Sequence, residues 1–170
     1  MIDYGQLDIK ANPGAFSIFD AEILVPAVSQ LENGEVYLEV GVDRGRSLSI
    51  VRMVARDGVS VYGVDIQDDP KVPGTTFFKG DSVEVANSYS GEKISVLFID
   101  GDHSYEGCKR DIEAWLPHMK PQGTILFHDC DETSPGVVQA VAEAYSKYGI
   151  NWKLHKRTDK NTSMAQIWLK

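Results

Sequence analysis

Val36-Tyr37-Leu38-Glu39-Val40-Gly41-Val42-Asp43-Arg44-Gly45-Arg46-Ser47 is the stretch that decides the architecture. Its first five residues read as a buried strand. Gly41 and Gly45 then let the chain turn tightly, and Leu48, Val51, Val54 and Ala55 share one face of the amphipathic helix that follows, which Gly58 ends. Working outward, Val59 to Val64, Thr75 to Lys79 and Ile94 to Ile99 read as three further strands. Near-continuous apolar runs of this kind suit parallel strands covered on both faces. Upstream, Asp20 to Glu32 carries Ile23, Leu24, Ala27, Val28 and Leu31 at helical spacing and stops at Asn33-Gly34, with Pro26 as a kink or as the true start.

Downstream, Cys108, Ile112, Trp115, Leu116 and Met119 form a helical stripe halted by Pro121 and Gly123. Thr124 to Phe127 reads as a fifth strand. Ser134-Pro135 reads as an N-cap with proline at the first helical position, opening a helix through Val137, Val138, Val141, Ala142 and Tyr145 to Gly149. Asn151 to His155 and Ser163 to Leu169 then form two strands joined by a polar turn around Asp159 to Asn161. The expected fold is a single α/β domain over residues 1–170: a three-layer α/β/α sandwich, doubly wound, with a mostly parallel seven-stranded sheet and one antiparallel strand. Such sheets bind ligands at the carboxyl ends of their strands, where the strand order reverses.

Bulk properties narrow the function classes. The 170 residues carry a formal net charge of -8, which opposes docking on phosphate backbones, so nucleic acid is not an expected partner. No run of apolar residues is long enough to span a membrane, and no basic-then-apolar leader opens the chain, which makes the cytoplasm the expected location. Cys108 and Cys130 are too few and too far apart for a metal knuckle, a redox pair or a disulfide framework.

Five constellations sit at the predicted strand ends. The Gly41–Gly45 turn can bring backbone N–H groups close to a ligand, or serve as a bare strand-to-helix turn. Asp65, 24 residues beyond Gly41, is placed to accept bonds from ribose hydroxyls, or to be a solvated loop acid. Asp81 can take an adenine amine, and Ser82 can instead cap a helix. Asp100-Gly101-Asp102-His103 and His128-Asp129 place ionisable groups directly after apolar runs, where burial is costly unless the groups are paired, metal-bound or used.

Taken in order, Glu39-x-Gly41-x-x-x-Gly45, Asp65, Gly80-Asp81-Ser82, Ile99-Asp100-Gly101-Asp102-His103-Ser104-Tyr105 and Lys120-Pro121-x-Gly123-x-x-Leu126-x-His128-Asp129 resemble the motifs of class I S-adenosylmethionine-dependent methyltransferases. Over residues 34–130 the resemblance is to the small-molecule O-methyltransferase group that includes macrolide-sugar methyltransferases and cephalosporin hydroxylase-like proteins. It implies that S-adenosylmethionine is the cofactor, with Glu39, Gly41 and Gly45 around its methionine part, Asp65 on its ribose and Asp81 with Ser82 facing adenine. Ser47, Ile66 and Asp100 complete the implied contacts. It also implies a divalent cation, Mg²⁺ or Mn²⁺, on Asp100, His128 and Asp129, and catalysis by His103 as general base together with Asp100. The usual neighbour at position 128 is a carboxylate or amide; oxygen ligands suit Mg²⁺, whereas imidazole favours Mn²⁺, Fe²⁺ or Zn²⁺. Both His128 and Asp129 can ligate only if the backbone bends there, because neighbours on a strand point to opposite faces.

The expected reaction is O-methylation of a hydroxylated small molecule such as a sugar. Three other readings stay open: a metal-dependent hydroxylase or hydrolase using His103, His128 and Asp100, a nicotinamide dehydrogenase sharing the glycine turn and Asp65, and a non-catalytic cofactor-binding module. A homo-oligomer that closes the acceptor pocket is also expected, from the short segment ahead of the first strand.

Overall fold

A computed structural model describes residues 16–156 and 163–170. Helix α1 (Ile18–Ser29) precedes β1 (Val36–Val40), α2 (Arg46–Val54), β2 (Ser60–Asp65), β3 (Thr76–Lys79), α3 (Ser82–Ser88) and β4 (Ile94–Ile99). There follow α4 (Tyr105–Trp115), a short 3₁₀ turn (Leu116–His118), β5 (Met119–Phe127), α5 (Pro135–Tyr148), β6 (Gly149–Lys156) and β7 (Ser163–Leu169). All seven strands join one sheet in the order β3-β2-β1-β4-β5-β7-β6. The first five pair in parallel; β7 runs antiparallel to both of its neighbours, giving the single reversed strand that was expected.

Alternation along the central strands divides the core in two. Val36, Leu38 and Val40 pack with α4 and α5 residues such as Ile112, Trp115 and Val141, whereas Tyr37 packs with Leu24 and Val28 of α1 and Leu48 and Val51 of α2. Side chains on a strand point to opposite faces in turn, so the sheet is covered on both sides and its central strands have no polar face to show. The same alternation carries past the strand ends. Ile125 and Phe127 of β5 face the α4–α5 layer and Leu126 faces the α1–α2 layer, which sends His128 toward α1.

Several boundaries differ from the sequence reading. Pro26 lies inside α1, which ends at Ser29. A proline eight residues beyond the helix start deletes one backbone bond without stopping a helix whose Ala21, Leu24, Val25 and Val28 are buried. Met119 opens β5 instead of closing the α4 stripe, because Leu116-Pro117-His118 tightens into a 3₁₀ turn first. Ser134 precedes α5 but makes no side-chain capping bond. Helix α3 was expected only as a helix that Ser82 could cap, without bounds: its seven residues are mostly polar, with Ala86 its one fully buried side chain. The predicted turn at Asp159 to Asn161 lies outside the described residues.

Candidate active site

The strand order reverses between β1 and β4, and the residues after the first four strands meet there. A cavity of ≈ 460 Å³ is lined by Gly41 and Asp43 after β1, Asp65 and Ile66 at β2, Asp81 and Ser82 after β3, Asp100 and Asp102 after β4, and Arg110 and Asp111 of α4. Asp65, Asp81 and Asp100 thus line one cavity. Gly41 (φ +85°) is required by the chain itself: a Cβ there would stand 2.2 Å from the Asp100 carbonyl oxygen, so the loops after β1 and β4 can touch only through glycine.

Asp65 and Asp81 already hold backbone. Asp65 Oδ2 accepts from the Val42 and Asp43 amides (2.7 and 2.8 Å), and its Oδ1 accepts from the Gln67 amide (2.8 Å). A carboxylate offers about four acceptor positions, so capacity remains for a ligand hydroxyl. Asp81, not Ser82, caps α3: its Oδ1 accepts from the Val83 and Glu84 amides while Oδ2 pairs with Arg110 at 3.2 Å. Ser82 Oγ instead accepts from the Trp115 indole N–H (2.9 Å).

Glu39 and Ser47 do not line this cavity. Position 39 faces the α1–α2 layer, where the Glu39 carboxyl is fully buried and takes bonds from the Tyr37 hydroxyl (2.7 Å) and the Ser47 hydroxyl. Burial pushes its pKa up to about 8 against those bonds. It ties β1 to the start of α2 beneath the glycine turn.

Beside the cleft, and sharing Gly41, Asp43 and Asp100 with it, a smaller cavity of ≈ 190 Å³ is lined by Phe16, Ser47, His103, His128 and Asp129. Here the chain bends: Asp129 takes φ +47°, a left-handed conformation uncommon outside glycine, and its Oδ2 turns back to within 3.1 Å of His128 Nδ1. His103 Nε2 lies 3.0 Å from the same oxygen and 3.8 Å from Asp100 Oδ1. One ligand atom each from Asp100, His103 and Asp129 falls within 4.8 Å of the others, close enough for the three to hold one cation. The sequence had placed His128 in that set and His103 outside it. His128 Nδ1 reaches the same two acids, at 3.2 Å from Asp100 Oδ1.

His128 is 5% exposed, and neither ring nitrogen makes an in-line hydrogen bond among the described residues. Phe16 stacks beside it and Phe98 meets it edge-on. Burial works against its charged form, yet Asp100, Asp129 and Asp20 outweigh it and hold the pKa up at about 12. Asp129 is held below the usual carboxylate range by His103 and His128, and Asp100 is raised by burial. His103 is raised chiefly by its bond to Asp129. Three carboxylates around one buried imidazole form a place that demands positive charge.

Asp20 was not foreseen as a site residue. It reaches the cluster from α1, its Oδ2 3.5 Å from His128 Nε2. The Ser17-x-x-Asp20 pattern marks a helix start, and nothing local in the sequence links it to position 128. Arg110 and Asp111 were missed likewise, because one turn of α4 brings them over the cleft. A larger groove of ≈ 710 Å³ between α5 and the β6–β7 hairpin, lined by Val138, Tyr145 and Trp152, shares no residue with either cavity.

The strand order, the single reversed strand and the cleft at the β1/β4 switch point define the Rossmann-like fold of class I methyltransferases. The chain belongs to the methyltransferase-domain family, which it matches over residues 38–130, more than half its length. Among solved structures it is similar to an O-methyltransferase from Bacillus cereus in complex with SAH (TM-score 0.74, 16% identity, 98% of this chain and 89% of that one). It is also similar to the MycE methyltransferase of the mycinamycin biosynthetic pathway in complex with Mg and SAH (TM-score 0.67, 18% identity, 96% and 54%). At such identities the likeness is one of fold. Two curated relatives are themselves uncharacterized: y4gI of Sinorhizobium fredii (36% identity over 62 residues, 35% of this chain) and R132 of Acanthamoeba polyphaga mimivirus (27% over 128 residues, 62% of this chain). The chain spans 7% and 57% of their respective lengths. No helix among the described residues is long and apolar enough to cross a membrane.

Proposed function

We propose that this protein is an S-adenosylmethionine-dependent methyltransferase that methylates a hydroxyl of a small molecule, with a sugar-like polyol as the preferred acceptor. The observation that carries the reading is the junction of the two cavities. The cleft that fits an adenosyl group shares Gly41, Asp43 and Asp100 with the acid-and-imidazole cluster, so a cofactor seated along the glycine turn has its reactive end beside His103. The cleft also chooses among cofactors by charge. Among the described residues, Asp43, Asp65, Asp81, Asp100, Asp102 and Asp111 line it against one guanidinium, that of Arg110. That field repels the diphosphate of a nicotinamide cofactor and attracts a sulfonium. The O-methyltransferase relatives and the Mg in the MycE structure agree in direction.

In methyl transfer the electrophile arrives with the cofactor, and the protein must align the acceptor and take its proton. His103 is the base: its side chain is 44% exposed, so it can meet an acceptor, and Asp129 orients its ring. As the acceptor oxygen bonds to the methyl carbon and the carbon–sulfur bond breaks, His103 takes the hydroxyl proton. A divalent cation would fit the donor set: Asp100, Asp129 and the buried His128, whose Nδ1 lies beside both acids without a hydrogen bond of its own, would hold it. When bound, the cation lowers the pKa of a coordinated hydroxyl.

Calorimetric titration with S-adenosylmethionine, S-adenosylhomocysteine and NADH, followed by a panel of polyol acceptors, tests this reading. Binding of the first two and methyl transfer to a polyol support it; binding of NADH in preference to both sinks it. The two-histidine, two-carboxylate cluster also suits a metal-dependent hydroxylase, which turnover with Fe²⁺ and dioxygen and no methyl donor would reveal.

A further inference from the structure

The buried end of the cluster holds a residue that the reaction above leaves unused. Asp20 is 3% exposed, and its Oδ2 accepts from the Ser17 amide (2.7 Å) and the Ser17 hydroxyl (2.6 Å), which closes the cap of α1. A helix cap normally sits in water. This one is buried, and the same Oδ2 faces His128 Nε2 from the side of the ring opposite to Asp100 and Asp129. Phe16 and Phe98 close in on the ring, and each of its nitrogens faces an acid.

An imidazole that ligates a metal through one nitrogen commonly gives its other N–H to a carboxylate, which fixes both the tautomer and the orientation. We propose that Asp20 is a positioning residue for the cation site. By keeping the His128 proton on Nε2, it turns the Nδ1 lone pair toward Asp100 and Asp129, so that the site takes a nitrogen-accepting ion of the Mn²⁺, Co²⁺ or Zn²⁺ kind over Mg²⁺. The inference rests on the reading that a cation belongs in this cluster, and it adds that the N-terminal helix decides which one. Three independent features meet in it: a nearly fully buried side chain with two unpartnered nitrogens, two acids converging on Nδ1, and a third buried acid on Nε2.

Titration of the metal-free full chain with Co²⁺, read by its visible absorption and by calorimetry without methyl donor or acceptor, tests it. The wild type is expected to bind Co²⁺ with a spectrum that His128→Ala alters, and equimolar Mg²⁺ is expected not to displace it. Asp20→Ala should weaken Co²⁺ binding about 10-fold or more, and Asp20→Asn, which keeps an acceptor oxygen, should lose less. Ser17→Ala removes the hydroxyl bond of the cap and leaves the Asp20 carboxylate in place, so it should lower the melting temperature while leaving the Co²⁺ spectrum and affinity unchanged. Should Asp20→Ala fail to fold, Asp20→Asn against Ser17→Ala carries the comparison. The proposal is overturned if folded Asp20 variants bind Co²⁺ as the wild type does, or if Ser17→Ala weakens binding as much as they do. A wild type that binds none of Co²⁺, Mn²⁺ or Zn²⁺ overturns the cation reading itself.

Discussion

Glu39 on β1 and Asp129 just beyond β5, with β4 between the two strands, show how two acids of one sheet come to different uses. Asp129 leaves the sheet through a left-handed backbone and meets two imidazoles; Glu39 stays on the strand and is sealed under α2. Because burial raises Glu39 from its ordinary 4.5 to about 8, the folded protein keeps a proton that the unfolded chain releases. Stability from this group is therefore greatest below about pH 4.5 and falls as pH rises toward 8, by at most about 1.4 kcal/mol per pH unit. Glu39→Gln should remove that decline, which melting temperatures across the same range will show. At His103 the expected loss is chemical. His103→Ala should cut kcat by about 10²- to 10⁴-fold and leave calorimetric affinity for S-adenosylmethionine near wild type. Equal loss of both would remove His103 from the role of base. The placement of Asp100 and His103 was legible, as an acid and an imidazole directly after a hydrophobic run. Asp20 was not, since its partner lies 108 positions away and only the packing of α1 joins them.

The elements that carry the cleft are short loops between strongly patterned strands. β1, β4 and β7 were legible to within a residue because their runs are nearly all apolar. Helix α3 was not, because seven mostly polar residues offer no periodicity and its start is declared by one cap. Asp81→Ala should thus cost about 1 kcal/mol of stability, seen as a lowered melting temperature, and should also free Arg110. The turn after β1 is less forgiving. Gly41→Ala drives a methyl into the Asp100 carbonyl at a positive φ, so a loss of about 1–3 kcal/mol or more is expected. Its clearest sign would be faster amide exchange at Val42, Asp43 and Asp100 together, because Asp65 and Val40 bind those amides only while the two loops touch.

Across the whole molecule, the charge of -8 gathers where it can matter, with six aspartates around one cavity. S-adenosylmethionine carries a sulfonium charge that S-adenosylhomocysteine lacks, so its affinity should fall more steeply with added salt. Titrations at low and high ionic strength measure the difference, and parallel slopes would show that the acids do not act on the cofactor. What the sequence determined by itself was the alternation of strands and helices, the doubly wound sheet and the strand-end placement of Asp65, Asp81 and Asp100, because hydrophobic period and glycine punctuation are local properties. Tertiary structure alone decided which acids share a cavity, that Glu39 lies beneath it and that α1 brings Asp20 to His128. Those outcomes depend on which face of the sheet each strand end points to and which helix covers that face, and no short window of sequence contains either.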